Sequence, residues 1–229
     1  GEEKWRVRNV GFTAIDNLSK KNYAKEIELI NKFNLNHTKP IVLFTQHSVT
    51  TEYKLSKLQI KESIKAICKL ALEDINLIIT YPNNDIGGKI IIKELKKLEN
   101  KKLKNIQLHN SLGSYYYHGI LGLSKNKKWK IVCAGNSSSG IKETPFFSCP
   151  TVNIGTRQKG RLRGKNVIDS DYNSKKIYSA IKKAIHNKEF LAKCKKSSNP
   201  YGGGSAGKKI VSYLSSIEYN KIKILRKKN

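Results

Sequence analysis

The sequence predicts an α/β fold in which a parallel sheet is covered by helices on both faces, and three observations carry this. Apolar runs of strand length alternate with segments of helical apolar spacing, the connections are short, and polar clusters recur where the strand-like runs end. Runs that are apolar throughout suit strands buried on both faces, the usual condition of a parallel sheet. Such sheets hold ligands beyond the carboxyl ends of their strands, which is where these polar clusters fall.

The elements follow in order. WRVRNV alternates up to Val10 and turns at Gly11, predicting a short strand. Tyr23, Ile27, Ile30 and Phe33 recur at helical spacing within residues 20–33, and Pro40 closes the linker after them. IVLFT is a buried strand ending at Gln46 and His47. Residues 57–72 carry Leu58, Ile60, Ile64, Ile67, Cys68 and Ala71 on one broad helical face. INLIITY is the next strand and ends in a Pro82-Asn83-Asn84-Asp85 turn. Residues 87–98 form a helix through Ile91, Ile92, Leu95 and Leu98. IQLHN is strand-like, and residues 115–123 are helical. The strand KIVCAG, a Ser-rich loop, the strand TVNIG and a helix over 174–185 complete the sheet pattern. Tyr201-Gly202-Gly203-Gly204-Ser205 marks a turn before a last helix at 208–217.

Composition narrows the function classes. The 229 residues carry a formal charge of +28, yet of the 45 basic residues six are Arg and 39 are Lys, spread over the whole length. Nucleic-acid readers concentrate Arg forks and aromatic platforms on one element, so no nucleic-acid partner is expected. No apolar run approaches the roughly 20 residues that span a bilayer, and no signal-peptide pattern opens the chain; no membrane association and a cytoplasmic location are expected. Cys68, Cys133, Cys149 and Cys194 form no CxxC pair and have no His at ligand spacing, so neither a metal nor another cofactor is expected. The chain has no Met and opens on Gly1, so it is expected to be a cleaved or excised piece of a longer protein.

Two segments carry the chemistry. After KIVCAG come Gly135, Asn136, Ser137, Ser138, Ser139 and Gly140, then Ile141 and Glu143. Small residues at a helix start leave backbone N–H groups open to an anion, and a carboxylate one turn in suits the two hydroxyls of a ribose. The same residues also suit an ordinary capped helix, one shortened by Pro145. Arg157, Arg161 and Arg163 then fall within seven positions in NIGTRQKGRLRGKNVI. The Arg fork matches phosphate oxygens, whereas a merely solvated loop in this chain would use Lys. His47, at a strand end, is either a donor to a phosphate or sugar hydroxyl or a structural histidine.

In order and spacing, HSVTTE, YPNNDIGG, NSLG, GNSSSGIKE, TVNIGTRQKGRLRGKNVI and NPYGGGSAGKKIV resemble the C-terminal half of hydrolysing UDP-N-acetylglucosamine 2-epimerases of the sialic and legionaminic acid branch. The resemblance runs over about residues 5–214. It implies two Rossmann-like domains arranged as in GT-B glycosyltransferases, with this chain as the C-terminal one. Residues 1–38 would then be the end of the N-terminal domain and a linker helix, 39–200 the UDP-binding domain and 201–229 a tail helix. It implies that His47 faces the substrate as the catalytic histidine and that Asn83 lines the nucleotide pocket. It places Asn110 where a backbone group meets the uracil, Ser137 and Ser138 on the diphosphate, Glu143 on the ribose, and Arg157 as the Arg of the TRQ motif. Ser48 stands where Pro is common, Gly203 where Asp is frequent, and residues 125–129 lengthen a loop.

The implied reaction removes the proton at C2 and expels UDP to leave a glycal. Water then adds, yielding N-acetylmannosamine or a related 2-epimer. The carboxylates for proton transfer belong to the N-terminal half, so this chain is expected to bind UDP or UDP-N-acetylglucosamine but to be inactive alone. The missing half and, by family habit, a second copy in a homodimer are the implied partners. A GT-B glycosyltransferase donor domain is the alternative, and a basic nucleic-acid-binding domain the third.

Overall fold

The computed structural model describes residues 2–101 and 103–217. In chain order the elements are α1 (Thr13–Ser19), α2 (Glu26–Phe33), β1 (Ile41–Thr45), α3 (Ser56–Ala71), β2 (Asn76–Thr80), α4 (Gly88–Lys96), β3 (Ile106–His109), α5 (Gly113–Gly122), β4 (Ile131–Gly135), α6 (Ser139–Lys142), β5 (Thr151–Ile154), β6 (Val167–Ser170), α7 (Ser174–His186), α8 (Lys188–Lys195) and α9 (Ala206–Ser215). They group into two compact units, the larger being Asn22–Pro200.

In the larger unit six strands form one sheet in the order β3-β2-β1-β4-β5-β6, with every pair parallel. Every residue of β1 and β4 is buried, as their unbroken apolar runs require. Val42, Phe44, Leu77, Ile79, Val132 and Ala134 share one core with Ile60 and Ile67 of α3, Ile91 and Leu95 of α4, and Ile177 and Ile181 of α7. Strand residues alternate faces, so Ile41, Leu43 and Ile78, also buried, point the other way. On that side α5 packs on β4 and α2 on α5, burying Ile120, Leu121, Leu29 and Phe33. Fully burying such a side chain stabilises the fold by roughly 2 kcal/mol.

The chain steps from β1 outward to β3, then returns to place β4 on the other side of β1. The crevice between the carboxyl ends of β1 and β4 is therefore the topological switch point of the sheet.

In the smaller unit, formed by the described residues up to Lys21 with those from Tyr201 onward, α1 packs on α9. The Asp16 carboxylate accepts the backbone N–H groups of Ala206 at 3.0 Å and Gly207 at 2.7 Å. It thereby caps the start of α9, and these bonds hold the Asp16 carboxyl below its ordinary range.

Two expectations change. No strand forms over residues 5–10: Lys4–Arg6 make a single 3-10 turn, with the Trp5 and Arg6 side chains both bonded to Glu3. The first helix of the larger unit starts only at Glu26, because Lys21 takes a left-handed backbone (φ 55°) and the Glu28 carboxylate caps the N–H of Lys25. Two elements escaped the apolar pattern. Strand β6 is four residues of an edge with one residue exposed and the rest half-buried. Helix α8 begins afresh where the Asn187 side chain accepts the N–H of Phe190 at 2.7 Å. The last helix expected at 208–217 is α9, and the rest of the tail expected to 229, beyond Ile217, lies outside the described residues.

Candidate functional site

Gly135, the last residue of β4, has φ 118°, and a Cβ there would lie 1.9 Å from the Thr45 carbonyl oxygen. Only glycine lets the two strand ends approach so closely. The contact brings the loop after β1, with His47, against the loop after β4, with Ser137 and Ser138.

Asn136, fully buried, fastens that meeting. Its Oδ1 accepts the backbone N–H of His47 at 2.6 Å, its Nδ2 donates to the His47 carbonyl at 2.9 Å, and its own N–H reaches the Thr45 carbonyl at 3.0 Å. The His47 ring is fixed from the neighbouring strand end, where the Asn83 N–H donates to Nδ1 at 3.1 Å. Because Nδ1 accepts, the neutral ring carries its proton on Nε2. Burial, reinforced by the Arg157 charge and partly opposed by Asp85, pulls the His47 pKa down from 6.5 to about 4. At neutral pH His47 is an uncharged N–H donor.

Helix α6 is one turn of four residues, and the chain then enters a 3-10 turn at Thr144–Phe147 that contains Pro145. The Ser138 side chain makes no cap bond, so this start differs from the capped helix that the sequence suggests. A single turn has a weak dipole, and the fixed positive charge comes from Arg157 instead. Ser139 is held by the Tyr117 hydroxyl at 2.6 Å and lies 3.1 Å from the Ser137 hydroxyl. Glu143 lies 2.9 Å from Nε2 of His118, whose ring stacks on Phe147.

Arg157 donates from Nη1 to the Asn136 carbonyl at 3.2 Å, and its Nη2 lies 3.7 Å from the Asp85 carboxylate. The same carbonyl accepts Nε2 of Gln158 at 2.8 Å. The other two arginines of the cluster stand apart from the cavity. Arg163 pairs with Asp169, and Arg161 is exposed. The cavity, about 370 Å³, is lined by His47, Asn83, Asn110, Ser137, Ser138, Glu143 and Arg157, so all seven residues singled out from the sequence meet in one place. It lies at the carboxyl ends of β1, β2, β3 and β4.

Sequence reasoning missed Asn136, Tyr117 and His118. Asn136 was legible only as one more small residue of the loop, and its role depends on a contact 89 residues away. Tyr117 and His118 sit in YYYHGI, where only their line along α5 toward Ser139 and Glu143 sets them apart.

A guanidinium, a neutral imidazole N–H and hydroxyls around one crevice are suited to an anion with several oxygens. A carboxylate at the far side suits a neighbouring diol. The described residues contain no group of three or more His, Cys, Asp or Glu placed to hold a metal, and among them no helix is long and apolar enough to cross a membrane.

A family model described as UDP-N-acetylglucosamine 2-epimerase matches residues 1–215. The chain is 35% identical over 190 residues to the GDP/UDP-N,N'-diacetylbacillosamine 2-epimerase (hydrolyzing) of Campylobacter jejuni, covering 83% of this chain and 47% of that protein. It is 32% identical over 193 residues to the UDP-N-acetylglucosamine 2-epimerase of Neisseria meningitidis, covering 84% and 48%. The chain thus spans about half the length of the curated relatives it matches. A crystal structure of UDP-GlcNAc 2-epimerase from Neisseria meningitidis bound to UDP-GlcNAc shares the fold, with a TM-score of 0.71 at 20% identity over 91% of this chain and 55% of that one. The sheet is that of a Rossmann-like domain of the GT-B-like type, and the chain belongs to the UDP-N-acetylglucosamine 2-epimerase family.

Proposed function

We propose that this chain is the UDP-binding half of a hydrolysing UDP-N-acetylglucosamine 2-epimerase. In this reading residues 39–200 form the nucleotide domain, and the protein works in the cytoplasm with an N-terminal half, as a homodimer. The observation that carries the reading is the convergence of His47, Asn83, Asn110, Ser137, Ser138, Glu143 and Arg157 on one cavity at the switch point of the sheet.

The chemistry divides between the halves. Abstraction of the C2 proton and cleavage of the anomeric C–O bond release UDP and leave a glycal; water then adds across the double bond, giving the free 2-epimer. This chain serves the leaving group. Arg157 and the amides after Gly135 take up the charge that develops on the diphosphate, and the Nε2 proton of His47 is available to an oxygen. Glu143, held by His118, accepts the ribose hydroxyls, while Asn83 and Asn110 border the nucleoside. The carboxylates for proton transfer at C2 come from the other half, so the chain alone holds UDP without turnover.

Calorimetric titration of UDP into the 229-residue chain, with Arg157→Ala as control, tests the binding. Saturable binding weakened by the substitution is expected, and no heat of binding would sink the reading. Release of UDP from UDP-N-acetylglucosamine by the chain alone would disprove the division of labour.

A further inference from the structure

We infer that Asn136 is a positioning residue that couples His47 to Arg157. It does not line the cavity, yet all its polar groups are committed to groups that do or to the strand beneath them. Its carboxamide grips the backbone of His47 from both sides, at 2.6 Å and 2.9 Å. Its carbonyl collects Arg157 at 3.2 Å and Gln158 at 2.8 Å, and its N–H is tied to Thr45 at 3.0 Å. Among the described residues, Asn136 is the one bonded to both the histidine and the arginine of the cavity.

The choice of side chain has a chemical reason. His47 presents an N–H and a C=O in opposite senses to the same neighbour, and a primary amide is the side chain that offers an acceptor and a donor at that spacing. A carboxylate would place an oxygen against the His47 carbonyl oxygen, and an aliphatic side chain would leave both backbone groups buried without partners. Because Arg157 rests on the carbonyl of the same residue, a shift of Asn136 displaces both groups that face the ligand. Arg157 and His47 therefore act as one unit rather than as independent contacts.

This inference deepens the UDP-binding reading, and its test separates the two. In the ligand-free 229-residue chain, ¹⁵N NMR of the His47 ring is expected to show a proton on Nε2 and a free, accepting Nδ1. Asn136→Ala is expected to loosen the loop and give a mixed tautomer, with the far-ultraviolet circular dichroism unchanged. UDP titration of Asn136→Ala, Arg157→Ala and the double variant adds the coupling. Asn136→Ala should weaken UDP by roughly ten- to a hundredfold, and the double variant should bind far more tightly than the product of the two single losses implies. Should Asn136→Ala fail to fold, Asn136→Asp, which keeps the acceptor for the His47 N–H but sets an oxygen against the His47 carbonyl, replaces it, with the His47 tautomer as the deciding readout. A folded variant with the wild-type His47 tautomer, or losses that simply multiply, would overturn the role of Asn136. Wild-type chain that binds no UDP overturns the functional reading instead, and the tautomer measurement still decides the role of Asn136.

Discussion

Nδ1 of His47 accepts a hydrogen bond from the backbone N–H of Asn83 at 3.1 Å, across two adjacent strand ends. An acceptor at Nδ1 excludes a proton there, and with burial it makes the charged ring costly. His47 is expected to titrate near pH 4 rather than near its ordinary 6.5. Between these values the unfolded chain binds a proton that the folded chain refuses. Stability is therefore complete above about pH 6.5 and falls as the pH drops toward 4, by roughly 3 kcal/mol for this group. Urea unfolding at pH 7 and pH 4.5, compared between wild type and His47→Gln, isolates it: the pH dependence of the variant should be shallower.

Gly135→Ala should be among the most damaging single substitutions in the chain. Its Cβ would fall 1.9 Å from a backbone oxygen of β1, which no rotamer relieves, at a φ of 118°. A loss of at least about 3 kcal/mol is expected from the midpoint of chemical denaturation. By contrast Gly160→Ala, where a Cβ meets open space, pays only for its left-handed backbone and should lose about 1 kcal/mol.

The three clustered arginines should behave differently. Arg157→Ala is expected to cost about 2 kcal/mol of UDP binding, or roughly thirtyfold in Kd. Arg161→Ala, exposed and outside the lining, should leave Kd within about twofold. Equal losses at both positions would mean that the whole cluster, and not Arg157 alone, meets the phosphates.

Glu143 should read the sugar of the nucleotide. Wild type is expected to prefer UDP to its 2'-deoxy analogue by about tenfold. Glu143→Ala should bring that ratio close to one while it weakens UDP itself. His118→Ala, which removes the group holding Glu143, should shift the ratio part of the way. Competition titrations with the two nucleotides supply the comparison.

Much of this site is legible in the sequence, for a physical reason. IVLFT and IVCAG are apolar along their whole length, so their burial and parallel pairing follow, and the polar residues after them must gather at one edge. His47, Ser137 and Ser138 come directly from that rule. Asn136 did not, because its meaning lies in a partner 89 positions away, and an Asn in a loop looks the same whether it faces water or clasps a backbone. Arg161 and Arg163 show the reverse error: proximity in sequence to Arg157 suggested a shared target, yet Arg163 turns to Asp169. Strand β6 escaped notice since one exposed and three half-buried residues leave little apolar pattern to read.

The seven cavity residues named from the sequence sit beyond the carboxyl ends of strands, whereas residues 125–129 lead into β4 at its amino end. A parallel sheet thus has two poles that differ in what they tolerate. At one pole a single methyl group on Gly135 is intolerable; at the other, Lys125, Asn126, Lys127 and Lys128 are exposed. Tags, labels or binding peptides grafted at that second pole should leave nucleotide affinity untouched, which makes it the natural place to attach anything to this protein.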